Sequence, residues 1–209
     1  MICAPGPDCG LCPRLVGFRE QNRRKFPDWH NGPVPSFGPV TARLLVVGLA
    51  PGLRGANKTG RPFTGDFAGV LLYRTLLKFG FAQGFYGARP DDGLALVNCR
   101  IVNAVRCVPP ENKPLPAEIR MCNDFLRSEI ANVKPRAILA LGAIAHQAVL
   151  HAFQLPRRFA AFRHGQEQIL PSGAFLVDSF HVSRLNTSTG RLTQDMFERI
   201  VQRLVEMTT

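Results

Sequence analysis

Leu44 to Gly69 reads LLVVGLAPGLRGANKTGRPFTGDFAG, and the fold follows from how this stretch divides. Leu44-Leu45-Val46-Val47 is apolar at every position, which predicts a strand buried on both faces. Gly48 ends the run and Pro51-Gly52 turn the chain. Gly55, Gly60 and Gly65 then space a loop around Arg54, Lys58 and Arg61, and Val70 to Leu77 resumes an apolar pattern suited to a helix. Strand, glycine loop and helix in this order commonly turn backbone N–H groups toward an anion. The loop also carries Phe63 and Asp66, which a phosphate cradle does not need. They point to a ligand with a flat face and to acid–base or water chemistry. No Gly-Lys-Ser/Thr closes the loop and no G-x-G-x-x-G is present, so neither nucleotide fingerprint applies.

Outward from this stretch, short apolar runs alternate with helical patterns. Further strands are predicted within Leu94 to Val105, at Ala137 to Leu141 and at Phe175 to Ser179. Helices are predicted from Leu15 to Phe26, from Val70 to about Lys78, from Pro116 to about Asn132, from Ala143 to Phe153 and from about Thr193 to Glu206. Residues 1–14 and the Pro- and Gly-rich Asp28 to Pro39 read as irregular. The order predicts an α/β fold with a mostly parallel four-stranded sheet and helices on both faces. In such sheets ligands gather beyond the carboxyl ends of the strands. The glycine loop, Asn103 to Pro114 and His181 to Arg191 all fall there, so they are expected to form one site.

The 209 residues suffice for one domain with a full core. Lys and Arg number 26 against 15 Asp and Glu, a net charge of +11, and the isoelectric point is near 10.2. That excess suits a polyanionic partner, with nucleic acid the first candidate. No apolar run approaches the roughly 18 residues of a membrane span, and the amino terminus has no signal-peptide pattern. A cytoplasmic or nucleoid-associated protein is expected, as a monomer. In that compartment cysteines argue for metal or catalysis over disulfides. Cys9-Gly-Leu-Cys12 is a C-x₂-C, and Cys107 and Cys122 form a second pair. Four thiolates suit zinc or an iron–sulfur cluster. The long second spacing is unlike a zinc knuckle and favours the cluster. Cys99 reads as core and Cys3 as a bystander near the terminus.

Taken together, the motifs resemble the uracil-DNA glycosylase superfamily, and within it family 5, the type b enzymes. The residues that carry the likeness are Gly48-Leu49-Ala50-Pro51-Gly52, Thr59 to Asp66, Asn103 to Pro114, His181 to Asn186 and Thr189 to Leu192. The resemblance implies a single three-layer α/β/α sandwich, a structural [4Fe–4S] cluster on Cys9, Cys12, Cys107 and Cys122, and hydrolysis of the N-glycosidic bond of uracil or other deaminated bases such as hypoxanthine in DNA. Gly48, Ala50, Phe63, Asn103 and Asn112 would surround the base, with Phe63 as its π-platform and Asn103 reading its edge. His181 would stabilise the negative charge on the departing base. Lys58, Arg61, Ser183, Arg184, Asn186 and Arg191 would hold DNA, with Leu185 as the wedge that fills the space left by the flipped nucleotide.

Two departures stand out. Related families place an acid or amide at the positions of Leu49 and Ala50; here both are apolar, as in family 5, so Asp66 is the expected water-handling carboxylate. Val182 follows the histidine where proline is usual. Each assignment has an ordinary competitor: core packing for Phe63, a helix N-cap for Asp66, a strand-end hydrogen bond for Asn103, surface charge for Lys58 and Arg61. His146 and His151 read as structural, and His30 has no assigned role. The competing function is a non-catalytic nucleic-acid-binding protein with a structural zinc site.

Overall fold

The computed structural model describes residues 3–209. The chain runs α1 (Pro13–Lys25), β1 (Leu44–Gly48), α2 (Ala56–Thr59), α3 (Phe67–Lys78), β2 (Ala82–Gln83), β3 (Ala95–Leu96), β4 (Cys99–Asn103), α4 (Pro116–Val133), β5 (Ala137–Leu141), α5 (Ala143–Ala152), β6 (Glu167–Ile169), β7 (Phe175–Ser179), α6 (Arg184–Ser188) and α7 (Gln194–Thr208). The irregular start is confirmed up to Cys12, its first two positions lying outside the described residues.

The sheet has the order β4-β1-β5-β7-β6. The first four strands are parallel and β6 pairs antiparallel with β7. The expected four-stranded sheet is therefore corrected to five. β6 is a polar three-residue edge strand, Glu-Gln-Ile, with no apolar face to announce it. A separate two-stranded ribbon, β2 with β3, follows α3.

The continuous apolar runs are explained by two cores, one per face. Leu44, Val46, Ile101, Leu139 and Val177 point into a core shared with α3 and α7. Leu45, Val47, Val102, Ile138, Ala140 and Leu176 point the other way, under α4 and α5. Helices thus cover both faces, which gives the three-layer sandwich. Each fully buried Leu or Val in these layers contributes about 1.5–3 kcal/mol.

Helix starts follow their caps. Asp66 caps α3 by accepting from Gly69 N–H at 3.3 Å, Thr193 caps α7 through Met196 N–H at 3.2 Å, and Pro116 opens α4. The α1 helix is different: it buries only Leu15, Arg19 and Asn22. Arg14 ties it to Glu118 of α4 by two hydrogen bonds of 2.8 Å.

Candidate active site

The parallel strands end together. Gly48 of β1 stands in register with Asn103 of β4, and Leu141 of β5 with Ser179 of β7. Beyond those ends lies a cleft of about 270 Å³ lined by Leu49, Ala50, Phe63, Asp66, Asn103, Asn112 and His181, among others. The three expected clusters therefore meet in one place.

The floor of the cleft depends on a missing side chain. A Cβ on Gly48 would stand 2.4 Å from Asn103 Oδ1 and 2.6 Å from Phe63 Cζ. Glycine there lets the amide and the ring approach the same strand end. Asn103 is 3% exposed and its Oδ1 is buried with no hydrogen-bond partner. Leaving such an acceptor unpaired costs about 1–3 kcal/mol, so a buried amide oxygen facing a cleft is an invitation to a donor. The strand-end hydrogen bond that would explain Asn103 otherwise is absent for this atom.

Phe63 is 7% exposed, so it is core and cleft wall at once. Its backbone sits at φ +51°, in the left-handed region that costs a non-glycine residue about 1–3 kcal/mol. The surroundings hold it there. Tyr86 Oη donates to Phe63 O at 3.1 Å and Tyr73 Oη donates to Pro62 O at 2.6 Å. A Cβ on Gly69 would fall 1.8 Å from Phe63 O, so the helix can pass the bend only as glycine.

Asp66 does two things. One carboxylate oxygen caps α3. The other packs against the glycine turn, where a Cβ on Gly55 would fall 2.4 Å from Oδ2. Burial raises its pKa above the ordinary aspartate value, opposed in part by the Gly69 and Ala68 backbone N–H groups. His181 faces Phe63 with ring centroids 6.1 Å apart. Burial lowers its pKa, so the neutral imidazole that can donate an N–H is favoured. Val182 is fully buried in the core, and packing takes the place of the proline expected there.

The uracil DNA glycosylase superfamily profile matches residues 35–205. The chain belongs to that superfamily. A Type-5 uracil-DNA glycosylase of Thermus thermophilus is 46% identical over 200 residues, covering 92% of this chain and 90% of that one. A Type-5 uracil-DNA glycosylase of Pyrobaculum aerophilum is 40% identical over 200 residues, 94% and 87% of the two chains. One from Mycobacterium leprae is 42% identical over 205 residues, 92% and 88%.

In this member of the superfamily several residues expected on DNA have other work. Arg61 is a correction: it is 5% exposed and pairs with Asp92 through two hydrogen bonds of 2.8 and 2.7 Å. Its guanidinium carbon also lies 5.2 Å from the Phe37 ring centroid and 5.6 Å from that of Tyr73. A side chain so enclosed is a tether for the loop and does not reach a phosphate. Lys58 is exposed, with Nζ 5.7 Å from the Trp29 ring centroid. Arg184 is exposed at the cleft lip and Leu185, 71% exposed, stands beside it on α6. Ser183 caps that helix, Asn186 Nδ2 donates to His181 O at 2.7 Å, and the Arg191 guanidinium lies 4.6 Å from the Phe180 ring centroid. Asn112 is exposed at the cleft mouth.

His146 pairs with Asp178 at 2.8 Å and His151 bonds Asn123 at 2.8 Å, both structural as read from the sequence. His30 contacts Pro33 O at 3.2 Å and packs against Gly60. Tyr86 and Asp92 carried no sequence signal, because their partners lie 23 and 31 residues away.

Cys9, Cys12, Cys107 and Cys122 line a second, enclosed cavity between α1, the segment after β4, and α4. Among the described residues no group of three metal-ligating side chains is gathered closely enough to hold a single ion. Arg19 lies at the same cavity, 3% exposed, donating to Cys9 O at 3.0 Å and with Nε 3.7 Å from Glu20 Oε1, and Arg106 N–H points at Cys122 Sγ at 3.4 Å. Cys99 is fully buried and Cys3 is exposed, as expected.

Proposed function

We propose that this protein is a monofunctional DNA N-glycosylase that hydrolyses uracil from DNA and accepts other deaminated bases, hypoxanthine included. The observation that carries this reading is the buried Oδ1 of Asn103, without a hydrogen-bond partner, on a residue that lines the same cleft as Phe63. Deamination turns an amino group into a carbonyl and protonates the neighbouring ring nitrogen. Uracil and hypoxanthine therefore share an edge of one N–H donor beside one C=O acceptor. A side-chain amide meets that edge with Oδ1 accepting and Nδ2 donating. Cytosine and adenine present the reverse order at the same place.

The chemistry follows from the neighbours. Extrusion costs about a few kcal/mol, offset by phosphate contacts from Lys58 and Arg184 and by Leu185 entering the stack. The base stacks on Phe63. As the bond from C1′ to the base nitrogen breaks, the base leaves with the electron pair and the N–H of His181 stabilises that charge. Water adds to the electron-deficient C1′, and Asp66 takes its proton. The free base and an abasic sugar result.

The four cysteines suit a [4Fe–4S] cluster. They line one cavity together with the buried Arg19, whose positive charge would offset that of an anionic cluster. When bound, such a group would join α1 to α4 and supply structure, not catalysis. Iron and acid-labile sulfide in a brown preparation support this assignment. A colourless protein with one tightly bound zinc favours the alternative, a binding module. A duplex with a single uracil tests the activity directly: incubation followed by hot alkali cuts the strand at that position. An uncut strand refutes it.

A further inference from the structure

β7 ends at Ser179, and the chain then presents Phe180 and His181. Backbone holds the strand up to this point: Asp178 N–H donates to Gln166 O at 3.0 Å and Gly165 N–H donates to Asp178 O at 2.8 Å. At Phe180 a side chain takes over. Its N–H donates to Nδ1 of His164 at 3.1 Å. The His164 ring also stacks on the Phe180 ring, centroids 4.8 Å apart and planes 15° apart. One residue on, the carbonyl of His181 accepts from Asn186 Nδ2. His181 is thus bracketed by two backbone groups, each held by a side chain.

His164 is not among the residues that line the cleft; it lies half-buried on the far side of Phe180, beside Glu167, Arg199 and Arg203. An effect of these contacts on the reaction passes through Phe180, by its peptide or by its ring. An N–H···N bond needs the lone pair of Nδ1 and places the ring proton on Nε2. We propose that His164 is a positioning residue for His181, fixing the Phe180 peptide and so the direction in which His181 presents its N–H to the departing base. This rests on the role given to His181 above. Hydrogen-bond donors to developing charge act only when aimed, and a misplacement of about 1 Å can cost on the order of a hundredfold in rate.

Three substitutions separate the parts of this contact. His164→Phe keeps a ring to stack and removes the acceptor. His164→Leu removes both. His164→Asn places an amide oxygen where Nδ1 stands. The expected result, on a uracil duplex, is a fall in kcat on the order of tenfold or more for Phe and Leu, with KM within about twofold and Tm nearly unchanged. Asn should recover most of that loss. Wild-type kcat in His164→Phe, or equal loss in all three variants, overturns the proposal. If the wild-type protein releases no base, the functional reading fails separately. The positioning is then judged by exchange of the Phe180 amide and by the His181 ring resonances. Faster exchange with shifted resonances in His164→Phe supports it; no change overturns it.

Discussion

Asp66 joins a structural role to the chemistry proposed for the cleft. It caps α3 with one oxygen and keeps the other against the glycine turn. Asp66→Asn retains an acceptor for the cap, whereas Asp66→Ala removes it at a cost of about 1 kcal/mol. Both should lose most turnover, while only Ala lowers Tm. Melting curves beside single-turnover rates check the separation; near-wild-type turnover in Asn moves the water-handling role elsewhere. The pH dependence has a definite sign. Burial raises the Asp66 pKa, and in the role proposed for it the charged form takes a proton from water. Turnover should therefore fall on acidification at a pH above the ordinary aspartate value of about 3.9, and this limb should vanish in Asp66→Asn. The Asp66 cap was readable from sequence because it is local. Gly48 was readable only as a strand end; that its missing Cβ admits Asn103 and Phe63 depends on a chain crossing from β4.

The glycine loop owes its shape to an element outside it. Arg61 and Asp92 are both buried, and their pair joins the loop that carries Phe63 to the turn before β3. Asp92→Asn should destabilise the fold by about 3–5 kcal/mol, since an unpaired guanidinium is left buried. Chemical denaturation measures this directly. The linkage with pH runs the same way: Arg61 holds the Asp92 carboxyl well below the usual carboxylate range. The pair's contribution is present above the unfolded pKa of about 3.9 and is lost as pH falls through the folded value. Arg61 looked like a phosphate contact because Arg beside glycines usually is; no sequence spacing announces a partner 31 residues on. The α1 helix makes the opposite point. With few apolar contacts of its own, it should be the first element to loosen if the proposed cluster is removed. Hydrogen exchange after chelation is expected to show lost protection in Pro13–Lys25 before β1 or β5. Uniform protection would mean that the cysteines hold α1 without metal.

Across the whole molecule, the parallel sheet explains why the three sequence clusters meet at one cleft. Each continuous apolar run marked a strand, and polar residues just past the runs marked the cleft. The edge strand β6 escaped because it is short and wet on its outer face. The net charge of +11 belongs to this scale too. The affinity for undamaged duplex should fall steeply with salt, in a log–log line whose slope counts the phosphates neutralised. Lys58→Ala and Arg184→Ala should each reduce that slope by about one, and Arg61→Ala should not. Titrations of fluorescent duplex at several salt concentrations decide this.

The central claim is that the cleft reads the edge created by deamination. Its most direct test is base release from duplexes identical except at one position, which holds uracil, hypoxanthine, cytosine or adenine. Release from the first two and none from their amino-bearing parents is the expected result. No release from uracil, or equal release from uracil and cytosine, would contradict it.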